Sequence, residues 1–301
     1  MKNAFSFNLG LAALVFTALN LDAQPTAPSS TIGKSVYGQH CAACHGELGD
    51  GNGPASVWLY PKPRNFSAGL FKIKSTPGQS LPTDEDLLRS VTRGLPGSSM
   101  PSFSYLNDQE RRDVVVYVKQ LTAYTNAAGQ LVSRFDEAAR NGTLAQPVEV
   151  PSEPAVGVQE LTLGRDIYKK MACAMCHGET GAGDGTQVPT LKDAAGLAIR
   201  PRDFNTGLFR GGHTGRDLYL RIHNGLPGTP MIPYGPEQMK PEERWALVHY
   251  IQSLRRSDVS VNDLLAPENN TIHVQRLAKV PTDPMDAFWD SRDPVRVPLN
   301  P

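Results

Sequence analysis

The sequence predicts a mainly α protein: two small helical modules in tandem, joined by a proline-rich linker and followed by an irregular tail. Three observations predict it. The chain repeats its own motifs in order, its apolar residues recur at helical spacing, and no period-two run is long enough to mark a sheet. At 301 residues the chain is long enough for two modules, each with a core of its own.

The repeat can be followed element by element. Gly33-x3-Tyr37 stands just before Cys41, and Gly164-x3-Tyr168 stands before Cys173 with one extra position between. Pro63-Arg64-Asn65-Phe66 is matched by Pro201-Arg202-Asp203-Phe204, and Gly69-Leu70-Phe71 by Gly207-Leu208-Phe209. Gly94-Leu95-Pro96-Gly97 and Gly225-Leu226-Pro227-Gly228 are each followed, at the same offset, by a methionine, Met100 and Met231. Thr83 and Thr214 read as helix N-caps with acid in the first turn, and those helices should stop at Gly94 and Gly225. Closing helices are expected over Val114 to Leu121 and Ala246 to Leu254, with Tyr117 and Tyr250 packing on the opening helices. These marks place the modules at residues 31–125 and 160–256, with a linker over 126–159 and a tail over 257–301 that is a candidate docking segment. Within the linker, Gln146 to Pro154 is proline-rich and acidic, and should be extended and stiff.

Composition excludes some functions. Thirty basic and 30 acidic residues give no formal net charge, which argues against a nucleic-acid binder. The modules are mildly basic (10 against 8 and 13 against 10), and the linker and tail are mildly acidic. Residues 1–23 read as a secretory signal: Lys2, an apolar run from Leu9 to Leu21, and a cleavage site at Leu21-Asp22-Ala23. The run is short for a membrane span and nothing later approaches one, so the mature chain is expected outside the cytoplasm, in the periplasm or its equivalent, without a span.

The four cysteines carry the chemistry. Cys41-Ala-Ala-Cys44-His45 and Cys173-Ala-Met-Cys176-His177 are both Cys-x-x-Cys-His, the attachment pattern of a c-type haem. Two thiols one helical turn apart reach the two vinyl groups on one porphyrin edge, and the adjacent histidine meets the iron. A shared zinc site, a thioredoxin-like pair and two short disulfides are the rival readings. The long stretch of chain between the pairs, the duplication, and the strain of a Cys-x-x-Cys bridge weigh against them. Two covalently attached haems c are expected.

The distal ligand is duplicated in register. The interval from His45 to Met100 differs by a single position from the interval between His177 and Met231. Inside those intervals the spacings differ much more, since Phe71 stands nearer its histidine than Phe209 does. Prolines around each methionine stiffen the loop that presents the sulfur. Met171, Met175, Met239, His213 and His223 lack counterparts or crowd the attachment motif. The expected metal ligands are therefore His45, Met100, His177 and Met231. Arg64 and Arg202 are candidates for hydrogen bonds to haem propionates, with surface positions the alternative. Thioether ligation and burial of the porphyrin both favour the reduced iron, so two fairly positive couples are expected.

With these motifs in place, each repeat resembles a class I cytochrome c domain. The pattern Pro-Arg-(Asn/Asp)-Phe … Gly-Leu-Phe … Leu-Pro-Gly-x-x-Met is similar to dihaem cytochromes that accompany respiratory oxidoreductases. The resemblance implies a non-enzymatic carrier or subunit that passes single electrons between redox protein partners. A dihaem peroxidase is the enzyme alternative and a haem sensor a third; each requires one open or labile iron, and the two repeats do not differ at the distal position. In the tail, Asp283 to Asp290 followed by Pro294 to Leu299 resembles the opening of the haem-b-binding sandwich of ethylbenzene dehydrogenase-related proteins. That likeness implies a molybdenum-dependent oxidoreductase as a partner.

Overall fold

The computed structural model describes residues 27–255; the expected signal peptide and tail lie outside the described residues. The chain is mainly helical, with two helical repeats in tandem. The first repeat runs α1 (Ser30–His40), α2 (Ala42–His45), α3 (Asp84–Arg93) and α4 (Asp108–Gln120). Each start has a sequence cause. Ser29 caps α1, and Thr83 with Asp86 and Asn107 with Glu110 close reciprocal capping boxes on α3 and α4. The closing helix begins at Asp108, ahead of the expected Val114, because a polar first turn carries no apolar signal. Gly94 ends α3 at φ 68°, a conformation open to glycine.

A hairpin and a short helix follow: β1 (Ala123–Thr125) pairs antiparallel with β2 (Leu131–Ser133) and leads into α5 (Arg134–Arg140). Phe135 of α5 is 4% exposed and packs edge-on against Phe71, so this segment extends the first core. Such short strands leave no period-two signature, which is why the linker reading over 126–159 contains no hairpin or helix. The proline-rich stretch itself has neither helix nor strand. It is tied at both ends: the Val148 amide donates to the Ser75 carbonyl (2.9 Å), and Glu153 meets His249 Nε2 (3.1 Å).

The second repeat runs α6 (Val158–Lys170), α7 (Ala174–His177), α8 (Gly215–Asn224) and α9 (Pro241–Ser253). In both repeats the opening and closing helices cross, α1 on α4 and α6 on α9. Glycine permits the crossing. A Cβ on Gly33 would stand 2.0 Å from the Asp113 carbonyl oxygen, and one on Gly164 2.1 Å from that of Ala246. Beside each crossing a tyrosine pair packs edge-on, Tyr37 with Tyr117 (5.3 Å) and Tyr168 with Tyr250 (5.4 Å).

Arg244 is a heavily bonded buried cation of the second repeat. At 1% exposure it donates to the Tyr219 hydroxyl (2.8 Å) and to the carbonyls of Tyr234, Gly235 and Met239 (2.5, 3.1 and 2.8 Å). Methionine at this position keeps the volume but strands three carbonyls. Arg244→Met should cost about 3 kcal/mol, read as a fall of roughly 15 °C in the thermal midpoint of this repeat. An unchanged midpoint would show that water replaces the guanidinium without cost.

The two repeats pack against each other, and their seam is built where their spacings differ. The stretch from Phe71 to Thr83 is more than twice as long as its counterpart from Phe209 to Thr214. The stretch from His177 to Arg202 is in turn longer than that from His45 to Arg64. Arg221 of α8 reaches into the first of these longer segments, donating to the carbonyls of Lys72 (2.6 Å) and Lys74 (2.5 Å), where Asn224 joins it (3.2 Å). The second receives the Tyr60 hydroxyl at the Ala198 carbonyl (3.2 Å). Between the helices, Arg89 and Arg93 of α3 meet the buried Asp217 of α8 at 3.3 and 3.9 Å. Among the described residues no helix is long and apolar enough to cross a membrane.

Candidate functional site

Each Cys-x-x-Cys-His motif folds as a single helical turn just after the opening helix. The His45 amide donates to the Cys41 carbonyl (2.9 Å) and the His177 amide to the Cys173 carbonyl (2.8 Å). Thiols at this spacing on such a turn share one face. None of the four cysteines is paired in a disulfide, and the two pairs are not gathered together: among the described residues no group of three or more His, Cys, Asp or Glu converges. The second motif has one more residue before it than the first. Ala172, at φ 55°, absorbs it, and is the one described non-glycine residue with positive φ.

The histidines are held from behind. Nδ1 of His45 lies 3.0 Å from the Arg64 carbonyl and Nδ1 of His177 3.3 Å from that of Arg202. A carbonyl only accepts, so Nδ1 carries the proton and Nε2 is left as the lone-pair nitrogen. Phe66 stacks on His45 (4.7 Å, 17°) and Phe204 on His177 (4.4 Å, 20°), which fixes each ring plane. Burial holds His45 below the ordinary imidazole range and His177 down to about 4, opposed by the carbonyl bond, so both rings are neutral at pH 7. Burial pushes the Cys41 thiol up to about 12 and the Cys173 thiol up to about 11.

The methionine loops match bond for bond. Leu95 N donates to Met100 O and Leu226 N to Met231 O, both at 3.0 Å. Ser98 Oγ donates to Leu95 O (2.7 Å) and accepts from Met100 N (3.3 Å); Thr229 Oγ1 does the same with Leu226 O (2.8 Å) and Met231 N (3.2 Å). Met100 packs against the first core, to which Phe66 belongs and on which Cys41 also packs. In the second repeat, Cys173, Cys176, His177 and Met231 all line one cavity of about 290 Å³. Two thiols, an imidazole with one nitrogen already engaged, and a thioether around one apolar cavity fit a covalently attached haem. Of the methionines set aside, Met239 is core at 3% exposure, Met171 packs against the second core and Met175 is 46% exposed.

The arginines do two things. Their backbone carbonyls orient the histidines, as above. Their side chains lie toward the seam: a Cβ on Gly97, in the methionine loop of the first repeat, would meet the Arg202 guanidinium at 2.0 Å. Burial lowers Arg64, opposed by Asp193 of the other repeat. Sequence reasoning did not find the carbonyl role, since any residue can supply a carbonyl. The repeated Pro-Arg-x-Phe offset was the available signal.

The sequence model of the family described as Cytochrome c matches residues 30–122 and 161–255, more than half of the chain. The chain belongs to the cytochrome c family. Membership implies covalently bound haem c. The Cbb3-type cytochrome c oxidase subunit CcoP of Azospirillum sp. (strain B510) is 28% identical over 173 residues, covering 54% of this cytochrome. The match takes in 46% of that protein, so the chain spans about half the length of this curated relative. A solved structure, the Kuenenia stuttgartiensis reducing HAO-like protein complex Kustc0457/Kustc0458, contains a chain 38% identical to this one. Its TM-score is 0.68, and the match covers 76% of this chain and 97% of that one.

Proposed function

We propose that this cytochrome c binds two haems and passes single electrons between redox protein partners, as a carrier or as a subunit of a respiratory oxidoreductase. Cys41 and Cys44 hold one haem and Cys173 and Cys176 the other. His45 and His177 would supply Nε2 to the irons, and Met100 and Met231 would supply sulfur. When bound, the haem supplies a one-electron couple. The protein's part is to fix both axial donors, exclude water from the apolar pocket and neutralise the haem carboxylates, for which Arg64 and Arg202 are the proposed partners.

The observation that carries this reading over a peroxidase is the bond-for-bond identity of the two methionine loops. A peroxidase needs one iron that opens, hence two different distal loops. The Kuenenia relative is part of a complex and the CcoP relative is an oxidase subunit, which supports a place within a larger redox assembly. Export rests on the signal sequence, and a molybdenum-dependent partner on residues 257–301, both outside the described residues.

Met100→Ala and Met231→Ala test the reading. In the oxidised protein, each should remove about half of the weak far-red band of methionine-bound ferric haem, leaving the other half intact. A high-spin haem in the unmodified protein, or a variant that changes nothing, would put an open iron and peroxidase or sensor chemistry first.

A further inference from the structure

Building on the haem reading above, we infer that the second repeat's haem site is completed by the first repeat, with Lys72 as the cation that meets a carboxylate of the haem attached at Cys173 and Cys176. The cavity beside His177 and Met231 is walled in part by Tyr60, Pro61, Lys72 and Ile73, all from the first repeat. Five cationic side chains line it, Lys72, Arg200, Arg202, Arg210 and Arg221, and no Asp or Glu does. An apolar enclosure with so one-sided a charge calls for an anionic occupant. The carboxylates are the charged groups on a haem's edge.

Several of these cations are already engaged with the protein. Arg221 holds the carbonyls of Lys72 and Lys74, Arg202 donates to the Leu208 carbonyl, and Arg210 donates to Gly97 O at 3.3 Å. Lys72 differs: its ammonium sits on a flexible stem beside two like charges, Arg64 and Arg210, with Asp193 as the opposing carboxylate. Burial and those arginines hold it down to about 8 against the pull of Asp193, so a further anion beside it would be stabilising. Lys72 and Arg210 are counterparts, each following the Phe of Gly-Leu-Phe. Arg210 reaches the methionine loop of the first repeat, and Lys72 reaches the cavity of the second. The two positions are exchanged across the seam.

The full-length holoprotein separates the two haems. In the Met100→Ala background the far-red band reports the second repeat alone, and in the Met231→Ala background the first. Redox titration of that band with Lys72→Met added should lower the second repeat's midpoint, because removing a nearby cation disfavours the reduced iron. At fixed potential the reduced-to-oxidised ratio should fall about tenfold, about 59 mV for a one-electron couple, and Lys72→Arg should restore it. The first repeat's midpoint should move less. Equal movement in both, a larger shift in the first, or none in either would overturn the assignment while leaving two haems in place. Fewer than two haems per chain in the unmodified protein would instead overturn the haem reading, and this inference with it.

Discussion

Gly164→Ala should unfold the second repeat well below the temperature at which the unmodified protein melts. The added Cβ would stand 2.1 Å from the Ala246 carbonyl oxygen and 2.7 Å from Tyr250 Cβ, and both neighbours belong to α9. Neither is the far end of a flexible side chain. Ala246 and Val248 are 0% exposed, so α9 cannot retreat without opening the core. Alanine's better helix propensity returns about 1 kcal/mol. Separating two packed helices costs more, and the net loss should be about 3 kcal/mol, roughly 12 °C or more in the midpoint. Gly38 of α1 is the internal control: a Cβ there meets nothing within 4 Å. Gly38→Ala should therefore stabilise the first repeat by about 0.5–1 kcal/mol. The same substitution thus changes sign with its surroundings. Scanning calorimetry of both variants decides the matter; two stabilising results would mean that the helix crossing is looser than its geometry.

Replacing both Cys173 and Cys176 with alanine should halve the covalently bound haem, from two per chain to one, counted by absorbance against peptide mass. The remaining haem should keep its methionine band, since the first repeat has its own thiols, histidine and methionine loop. The second repeat should also lose stability, because the cavity of about 290 Å³ lined by His177 and Met231 loses its tethered occupant. The mirror variant at Cys41 and Cys44 should leave the other haem. An unchanged haem count in either variant would refute attachment at those cysteines. Loss of both haems from one double variant would show that the repeats mature as a unit across their seam.

Much of this was legible in the sequence, for an identifiable reason. Cys-x-x-Cys-His is local: its thiols and imidazole lie within one helical turn, so spacing implies geometry. Helix caps are local too, which is why Thr83, Thr214, Gly94 and Gly225 mark the limits of α3 and α8. The duplication did the rest. It singled out Met100 and Met231, which stand at nearly equal distances along the chain from their histidines, where one copy would have left several methionines in competition. Membership of the cytochrome c family and the mainly helical tandem fold follow from those same residues.

Other features came into view only with the chain folded. Arg64 and Arg202 draw the eye as side chains, yet it is their carbonyls that set the histidine tautomers, and a backbone acceptor leaves no residue signature. Phe135 enters the first core from what reads as linker, because one apolar residue on a short helix has no period to detect. The two unequal spacings are visible as lengths alone. In the fold they become the seam, where Arg221 meets Lys72 and, beside it, Arg89 meets Asp217, partners far apart along the chain. By itself the sequence determined what each repeat contains, because those signals are local or repeated. The tertiary structure decided how the repeats face each other and which cations line the second repeat's cavity. Contacts so distant along the chain depend on how whole elements pack, and no window of sequence encodes that packing.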